Sequence, residues 1–459
     1  MSFIMRQPTL LNARLILSIF GILSIGSVCL TVSFFSRAEA ISLIRDTEIE
    51  TTIRIYTKPF LNAAKITDNT FEAKIVKDNT LNAFVAQGQK IFLTTGLLRR
   101  SKNAEEVLGV IAHEIGHIAG GHLTRLHSAL RTAGKTGKIT QVLGLTLGAA
   151  TQNPSIGVAI ATGGQHVAKR SFLKFSRGQE QSADHAAAMY LDKVGISGNG
   201  LLEFLKFLSS QEFIQTSNQN PYVRTHPLTR NRIQFMENHV KNSPVTQNKL
   251  PSTLVSKHLR MVAKLDAFID PPKSTLRKYK KKDRSIPARY ARIIALYRKG
   301  NFSESLSNME TLNSDFPRDP YFIEIKAQIL FGNGRLSDAM KTYQQAVVLL
   351  PNAPLIRTAL AHVILEMNRA ELNKHALEHI KYALRLDRFL PKAWYLAGKV
   401  YGRKKQFGRS FWSLAEYNIL INRKKLALEH AQRALKLLKV GTPAWLRATD
   451  IKNEINQTK

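Results

Sequence analysis

Apolar positions along the first half of the chain repeat with a period that switches between helical and extended. From Asp46 to Ile66, the residues Ile49, Ile53, Tyr56, Phe60 and Ala63 fall on one stripe, which predicts an amphipathic helix. Three short extended runs follow, Phe71–Val76, Leu81–Val85 and Lys90–Thr94, separated by Asp78-Asn79 and Gln87-Gly88-Gln89 turns. Asn103, with Glu106 three residues on and Val107, Leu108, Val110 and Ile111 behind it, is a helix-capping signature, and the helix it opens is expected to run to about Leu126. Between Ile139 and Ala161 the chain is apolar but rich in Gly, Ala and Thr, and it is broken by Gln152-Asn153-Pro154-Ser155. Each half is too short to cross a bilayer, so a packed helical hairpin or a flap that touches the membrane is expected there. A second, Ala-rich helix is predicted from Gly178 to Val194, stopped by Gly195.

Beyond Pro287 the pattern repeats. Gly300 returns as Gly334, Pro317 as Pro351 and Pro320 as Pro354, each 34 residues later, while Ala339, Tyr343 and Ala346 share one helix face before Pro351. A helix-turn-helix period of that length, with small residues at the crossings and proline at the end, is the tetratricopeptide pattern. Later units drift: Asn368 takes the place of the turn glycine, Pro391 lies 37 residues after Pro354, and Ala427, Ala431 and Ala434 mark a further packed helix. About four units and a cap that opens at Thr442-Pro443 are expected.

The start of the chain has its own pattern. Arg6 and Arg14 precede an apolar run from Leu15 to Phe35, followed by Ser36-Arg37-Ala38-Glu39-Ala40. This is a secretory signal pattern with an Ala-x-Ala cleavage site, so residues 1–40 are expected to be a signal peptide, with an uncleaved inner-membrane anchor as the alternative. Either form exports the rest of the chain. Val28 before Cys29 does not suit a lipoprotein, and cleavage removes the only cysteine, so no disulfide framework or cysteine zinc finger is available. The chain has 459 residues, 67 Lys and Arg against 33 Asp and Glu, and a formal charge of +34. Such an excess suits polyanions in general. Export and the lack of any nucleic-acid module argue against nucleic acid and leave acidic proteins or an anionic membrane face as partners. Asp270-Pro271-Pro272 and the eleven Lys and Arg between Lys273 and Lys299 mark a boundary. The expected divisions are a mixed α/β unit at 41–265, a basic linker at 266–286 and repeats at 287–459.

The chemistry is concentrated in His113-Glu114-Ile115-Gly116-His117. Histidines at i and i+4 on a helix stack one above the other and reach one metal, and the Glu between them can serve as general base without ligating. A catalytic zinc needs a third protein ligand. His122 stands one place short of the third-histidine position at Leu123, and on a continuous helix it turns about 100° away, which makes it a structural or supporting residue. A carboxylate on the later helix is the other option. Glu180 and Asp184 share a face at i and i+4, so Glu180 can ligate while Asp184 accepts a hydrogen bond from a ligand histidine; an exposed helix face is the plainer reading of the same spacing.

His113 to His117, continued to His122, together with the Glu180–Asp184 helix, resembles the gluzincin family of prenyl-protein endopeptidases and HtpX-like membrane-quality proteases. Asn82-Ala83-Phe84, Thr95-Gly96-Leu97-Leu98 and Thr225-His226-Pro227-Leu228 through Arg232 extend the likeness, and the repeats place the chain near a periplasmic branch of that family. The resemblance implies an α+β zincin-like metalloprotease domain followed by an all-α tetratricopeptide-repeat solenoid. It further implies one zinc per chain on His113, His117 and Glu180, with Glu114 as catalytic base and Asp184 behind the ligands. His226 resembles a histidine that reaches the zinc and holds the enzyme latent; it is a candidate oxyanion donor or fourth ligand, and His-Pro is also an ordinary turn. Ser182 departs from the family by standing where many relatives carry Glu. Implied substrates are unfolded or misassembled outer-membrane proteins, and implied partners include the machinery that inserts outer-membrane barrels. Substrate is expected to lie extended along Leu81–Val85 or Lys90–Thr94. The competing reading is a chaperone-like repeat adaptor whose zinc site is structural or permanently latched.

Overall fold

The structure is a computed structural model that describes residues 42–67, 70–86, 89–125, 165–211, 222–223 and 226–457. All of them lie within the compact unit Ala40–Lys459. The expected signal peptide and the Ile139–Ala161 hairpin lie outside the described residues. Among those described, no helix is long and apolar enough to cross a membrane.

Helix α1, Thr47–Ala63, is capped by Asp46, whose Oδ1 accepts from Ile49 N at 3.0 Å, and buries the Ile49, Ile53, Tyr56 and Phe60 stripe. Four strands follow the order β1 (Leu43–Ile44), β2 (Glu72–Val76), β4 (Lys90–Thr94), β3 (Ala83–Ala86), with β2 and β4 parallel and both outer pairs antiparallel. This order corrects one expectation. Lys90–Thr94 has a neighbour on each side and cannot accept another strand, whereas Ala83–Ala86 is an edge of the sheet among the described residues.

Helix α2, Thr95–Arg100, leads to α3, Ala104–Ala119, which runs through the core and buries residues on every side from Ala104 to Gly116. Its Asn103 cap accepts from Glu106 N at 3.0 Å, and Glu106 in turn accepts from Lys102 N at 2.9 Å. The helix stops seven residues before the expected Leu126, because Gly120 caps it and Gly121 turns the chain at φ +60. Helix α4 spans Gln165–Lys193, beginning well before Gly178, and closes at Gly195 with φ +73. It can lie close to α3 because Gly116 carries no side chain: a Cβ there would sit 2.8 Å from the Ala183 carbonyl oxygen. Helices α5 (Asn199–Gln211) and α6 (Arg230–Asn242) complete the outer layer.

Helix α7, Ser252–Ile269, is a shared wall. Met261 and Leu265 enter the core of the α/β region, while Ala263 and Ala267 enter that of the repeats. The stretch read as a linker is folded against it. Helix α8, Pro272–Lys278, is followed by Tyr279, and the buried Asp266 carboxylate accepts from Lys278 Nζ at 2.6 Å, Tyr279 Oη at 2.7 Å and Arg99 Nε at 2.6 Å. From Ile286 to Gln457 ten α-helices pair off as a tetratricopeptide array, α9 (Ile286–Arg298) to α18 (Pro443–Gln457). Gly300, Gly334 and Asn368 all adopt positive φ at the 34-residue turn position, so Asn368 does stand in for glycine.

The first repeats are joined to α1 and α7 by buried charges. Tyr290 Oη donates to Glu48 at 3.0 Å, Arg260 bridges Glu48 and Asp319, and Glu324 sits nearby with an Oε2 that is closed to solvent and makes no hydrogen bond. Burial pushes the Glu324 carboxyl up to about 8, with Lys264 pulling against it and Asp46, Glu48 and Glu50 adding to it. The folded chain therefore keeps a proton that an unfolded chain releases near pH ~4.5, and stability falls as pH rises from there to about 8. Glu324→Gln is expected to abolish that slope, gaining on the order of 2 kcal/mol at alkaline pH and little at acid pH. Unfolding midpoints of both proteins across the range check this; a gain that does not vary with pH would contradict it.

Candidate metal centre

Helix α3 presents His113 and His117 toward α4, and α4 presents Glu180 and Asp184 back. His113, Glu114 and Asp184 are wholly buried and Glu180 and His226 nearly so. His113 Nε2 and His117 Nε2 are 3.0 Å apart, and each lies 3.3 Å from a Glu180 carboxylate oxygen. His226 Nδ1 completes the group, 3.4 Å from His113 Nε2 and 3.2 Å from Glu180 Oε2. All four donors lie within 4.8 Å of one another. A tetrahedron with arms of roughly 2.0–2.1 Å has edges of about 3.3–3.4 Å, so this set suits zinc in both donor type and spacing.

The outer contacts fix which ring nitrogen faces inward. His113 Nδ1 lies 2.9 Å from Asp184 Oδ1, and a carboxylate takes the proton on that side, which leaves Nε2 free. His117 Nδ1 meets His122 Nδ1 at 2.9 Å, so His122 braces the His117 ring instead of facing away. The helix has already ended at Gly120, which removes the 100° argument, and His122 folds back over Gly120 so closely that no side chain fits there. His226 Nε2 lies 3.3 Å from the Ala83 carbonyl oxygen, an acceptor, so Nδ1 is the unprotonated nitrogen directed at the other donors.

The electrostatics suit a cation. Burial would lower the His113 pKa, yet Asp184 and Glu180 lift it to about 9: without a metal the acids draw a proton into the space. Burial drives His117 down to about 3. Burial also opposes the Glu180 charge, but His226, His117 and Arg232 hold its carboxyl well below the usual range. Glu114 stands apart. Neither of its oxygens makes a hydrogen bond, Oε1 lies 3.3 Å from His226 Nε2, and burial raises its pKa. A wholly buried carboxyl without a hydrogen bond is costly, and its neighbourhood suits a group kept to take up a proton.

One central residue was not singled out for a role by the sequence. Arg232 is wholly buried and grips Asp184 with Nε at 2.6 Å and Nη2 at 2.9 Å, while Nη1 lies 2.9 Å from Glu180 Oε2 and 3.2 Å from the Pro227 carbonyl. It thus ties the ligand helix to the segment that carries His226. A signal was present: Arg230 and Arg232 occupy the first turn of α6, where cations oppose the helix dipole and need a compensating partner. Tyr222, stacked on the His226 ring at 4.4 Å, holds it from behind.

Residues 45–240 match the model of peptidase family M48. The β-barrel assembly-enhancing protease of Yersinia pestis is 25% identical over 308 residues, which cover 64% of this chain and 61% of that protein. Its Escherichia coli K12 counterpart is 23% identical over the same shares. The mitochondrial metalloendopeptidase OMA1 of Schizosaccharomyces pombe is 24% identical over 180 residues, 39% of this chain and 50% of that one. The chain thus spans about three-fifths of the length of the first two relatives. Among solved structures, a tetratricopeptide protein of Thermus thermophilus matches 42% of this chain and 90% of its own at 16% identity and a TM-score of 0.24. With the family model covering both the histidine helix and the Glu180 helix, residues 45–240 form a domain of peptidase family M48.

Proposed function

We propose that this chain is an exported zinc endopeptidase acting on unfolded or misassembled envelope proteins, and that His226 keeps it latent. The observation that carries the reading is the pairing of a zinc-spaced donor set with Glu114, a buried carboxyl beside it whose oxygens make no hydrogen bond and whose nearest ring nitrogen is His226 Nε2 at 3.3 Å. Zinc held by His113, His117 and Glu180 would supply Lewis acidity toward a water and a peptide carbonyl. Glu114 would take the proton from that water and return it to the leaving amine.

His226 blocks this in two ways. Its Nδ1 takes the fourth position, which a catalytic site leaves open, and its Nε2 takes the Ala83 carbonyl at the end of the edge strand. One displacement of the His226 segment frees both the water position and the edge on which an extended substrate would lie. The ring could then offer its N–H to the developing oxyanion. Recruitment falls to the repeats, which face α1 and β2 across a cleft of about 1530 Å³ lined by Trp394, Tyr401, Trp412, Arg54, Lys381 and Arg388. The signal pattern of residues 1–40 and the name shared by the Yersinia and Escherichia relatives support clients from outer-membrane barrel assembly.

The test compares the chain from Ile41 onward with its His226→Ala variant, for zinc by elemental analysis and for cleavage of unfolded casein. Both should hold one zinc, and the variant should cleave at least ten times faster. The fourth protein donor favours a second reading, since closed four-donor sites are structural. Zinc in both proteins with cleavage by neither would establish that adaptor reading, and zinc in neither would dispose of the metal centre.

A further inference from the structure

The turn between α8 and α9 carries charge that the fold does not use. Of the eleven basic residues from Lys273 to Lys299, four are engaged. Lys278 pairs with Asp266 and Arg289 with Asp315; Arg292 donates to the carbonyls of Lys280 and Asp283, and Arg298 to those of Ala267 and Asp270. The other seven, Lys273, Arg277, Lys280, Lys281, Lys282, Arg284 and Lys299, are exposed and form no ion pair with any described residue. Four of them lie within the five residues 280–284, around a single acid, Asp283, whose Oδ1 is taken by the Ser285 amide at 2.9 Å. The turn is braced from within by Arg292 through its carbonyls, so it presents these side chains without spending any of them.

We propose that this braced basic turn docks the protein on an anionic phospholipid surface. The chemistry favours a membrane over other polyanions. Lysine-rich patches with mobile side chains are poor protein interfaces, which favour fixed aromatic and Arg anchors and deplete Lys. A bilayer with acidic headgroups needs no fixed rotamer and is bound by summed charge. Single-stranded nucleic acid needs exposed rings for stacking, and the one aromatic residue here, Tyr279, is tied through its hydroxyl to Asp266. At about fivefold in partitioning per charge, four such residues change membrane affinity by one to three orders of magnitude.

The experiment measures sedimentation of the chain from Ile41 onward with vesicles of equal parts phosphatidylglycerol and phosphatidylcholine, and with phosphatidylcholine alone. Two quadruple variants carry the same net charge, one with Lys280, Lys281, Lys282 and Arg284 changed to Gln, the other with Lys404, Lys424, Lys425 and Lys436 changed to Gln. All eight side chains are exposed, and circular dichroism checks that both variants fold as the wild type does. The proposal expects binding to the anionic vesicles only, at least tenfold weaker for the first variant, less than twofold weaker for the second, and released by salt. Equal losses in the two variants would assign binding to the overall charge of the chain. No binding by the wild type, or a first variant that loses only its hold on an acidic protein or oligonucleotide, would overturn it.

Discussion

Glu114→Gln is expected to reduce peptide hydrolysis roughly 10²–10⁴-fold while leaving the zinc content at one per chain. The measurement belongs in the His226→Ala background, where the basal rate is high enough to follow such a loss. Glu114 is not among the four donors, so its replacement leaves the metal set intact. Gln has the same shape and removes a charge from a site with no exposure, so the variant should be at least as heat-stable as its parent. A residue held only for structure would show the opposite, with stability lost and rate kept. The pH profile adds a separate check. Burial raises the Glu114 pKa, and the group must be ionised to take a proton, so activity should fall on the acid side at a pH above the ordinary carboxylate range. Retention of cleavage by the variant would remove Glu114 from the reaction.

The contrast between Glu114 and His226 marks how far the sequence can be read. His113, Glu114 and His117 lie within one turn and a half of one helix, so local periodicity alone brings them together, and the apolar residues around them require that the helix be buried. Glu180 and Asp184 were legible as a shared face with one carboxylate for the metal and one for a histidine, but the same spacing also suited an exposed helix face. Glu180 joins the donors while Asp184 turns to His113 Nδ1 and Arg232, a division made by how two helices cross at Gly116 and Ala183. His226 lies 109 residues beyond His117 in the chain, and its position depends on Tyr222 behind it and Arg232 beneath its backbone. No period encodes such contacts. The errors at element ends have local causes. Polar residues such as Arg177 and Gln179 masked the early start of α4, and the Gly120-Gly121 turn ended α3 while the sequence pattern carried on. The basic stretch after Asp270 looked like a solvated linker, because composition does not reveal that a single buried carboxylate, Asp266, would gather Arg99, Lys278 and Tyr279 around it.

Lys264→Met is expected to destabilise the chain by about 3–5 kcal/mol, the cost of leaving buried acids without their cation. Lys264 is fully buried on α7, with Nζ 2.8 Å from Asp46 Oδ2 and 3.3 Å from Glu48 Oε2. Burial opposes its charge, yet Asp46, Tyr290 and Glu48 keep the ammonium protonated far past its ordinary range. Asp46 caps α1, and Glu48 receives Arg260 of α7 and Tyr290 of the repeats, so this one ammonium neutralises the acids through which the repeats are held to α1. Its loss should therefore loosen the attachment of the repeats before it unfolds either core, and a single thermal transition should separate into two. Adding Asp46→Asn and Glu48→Gln to Lys264→Met removes the stranded charges and should recover much of the stability. Failure of that rescue, with the single variant still destabilised, would mean that Lys264 acts through the packing of its stem and not through its charge.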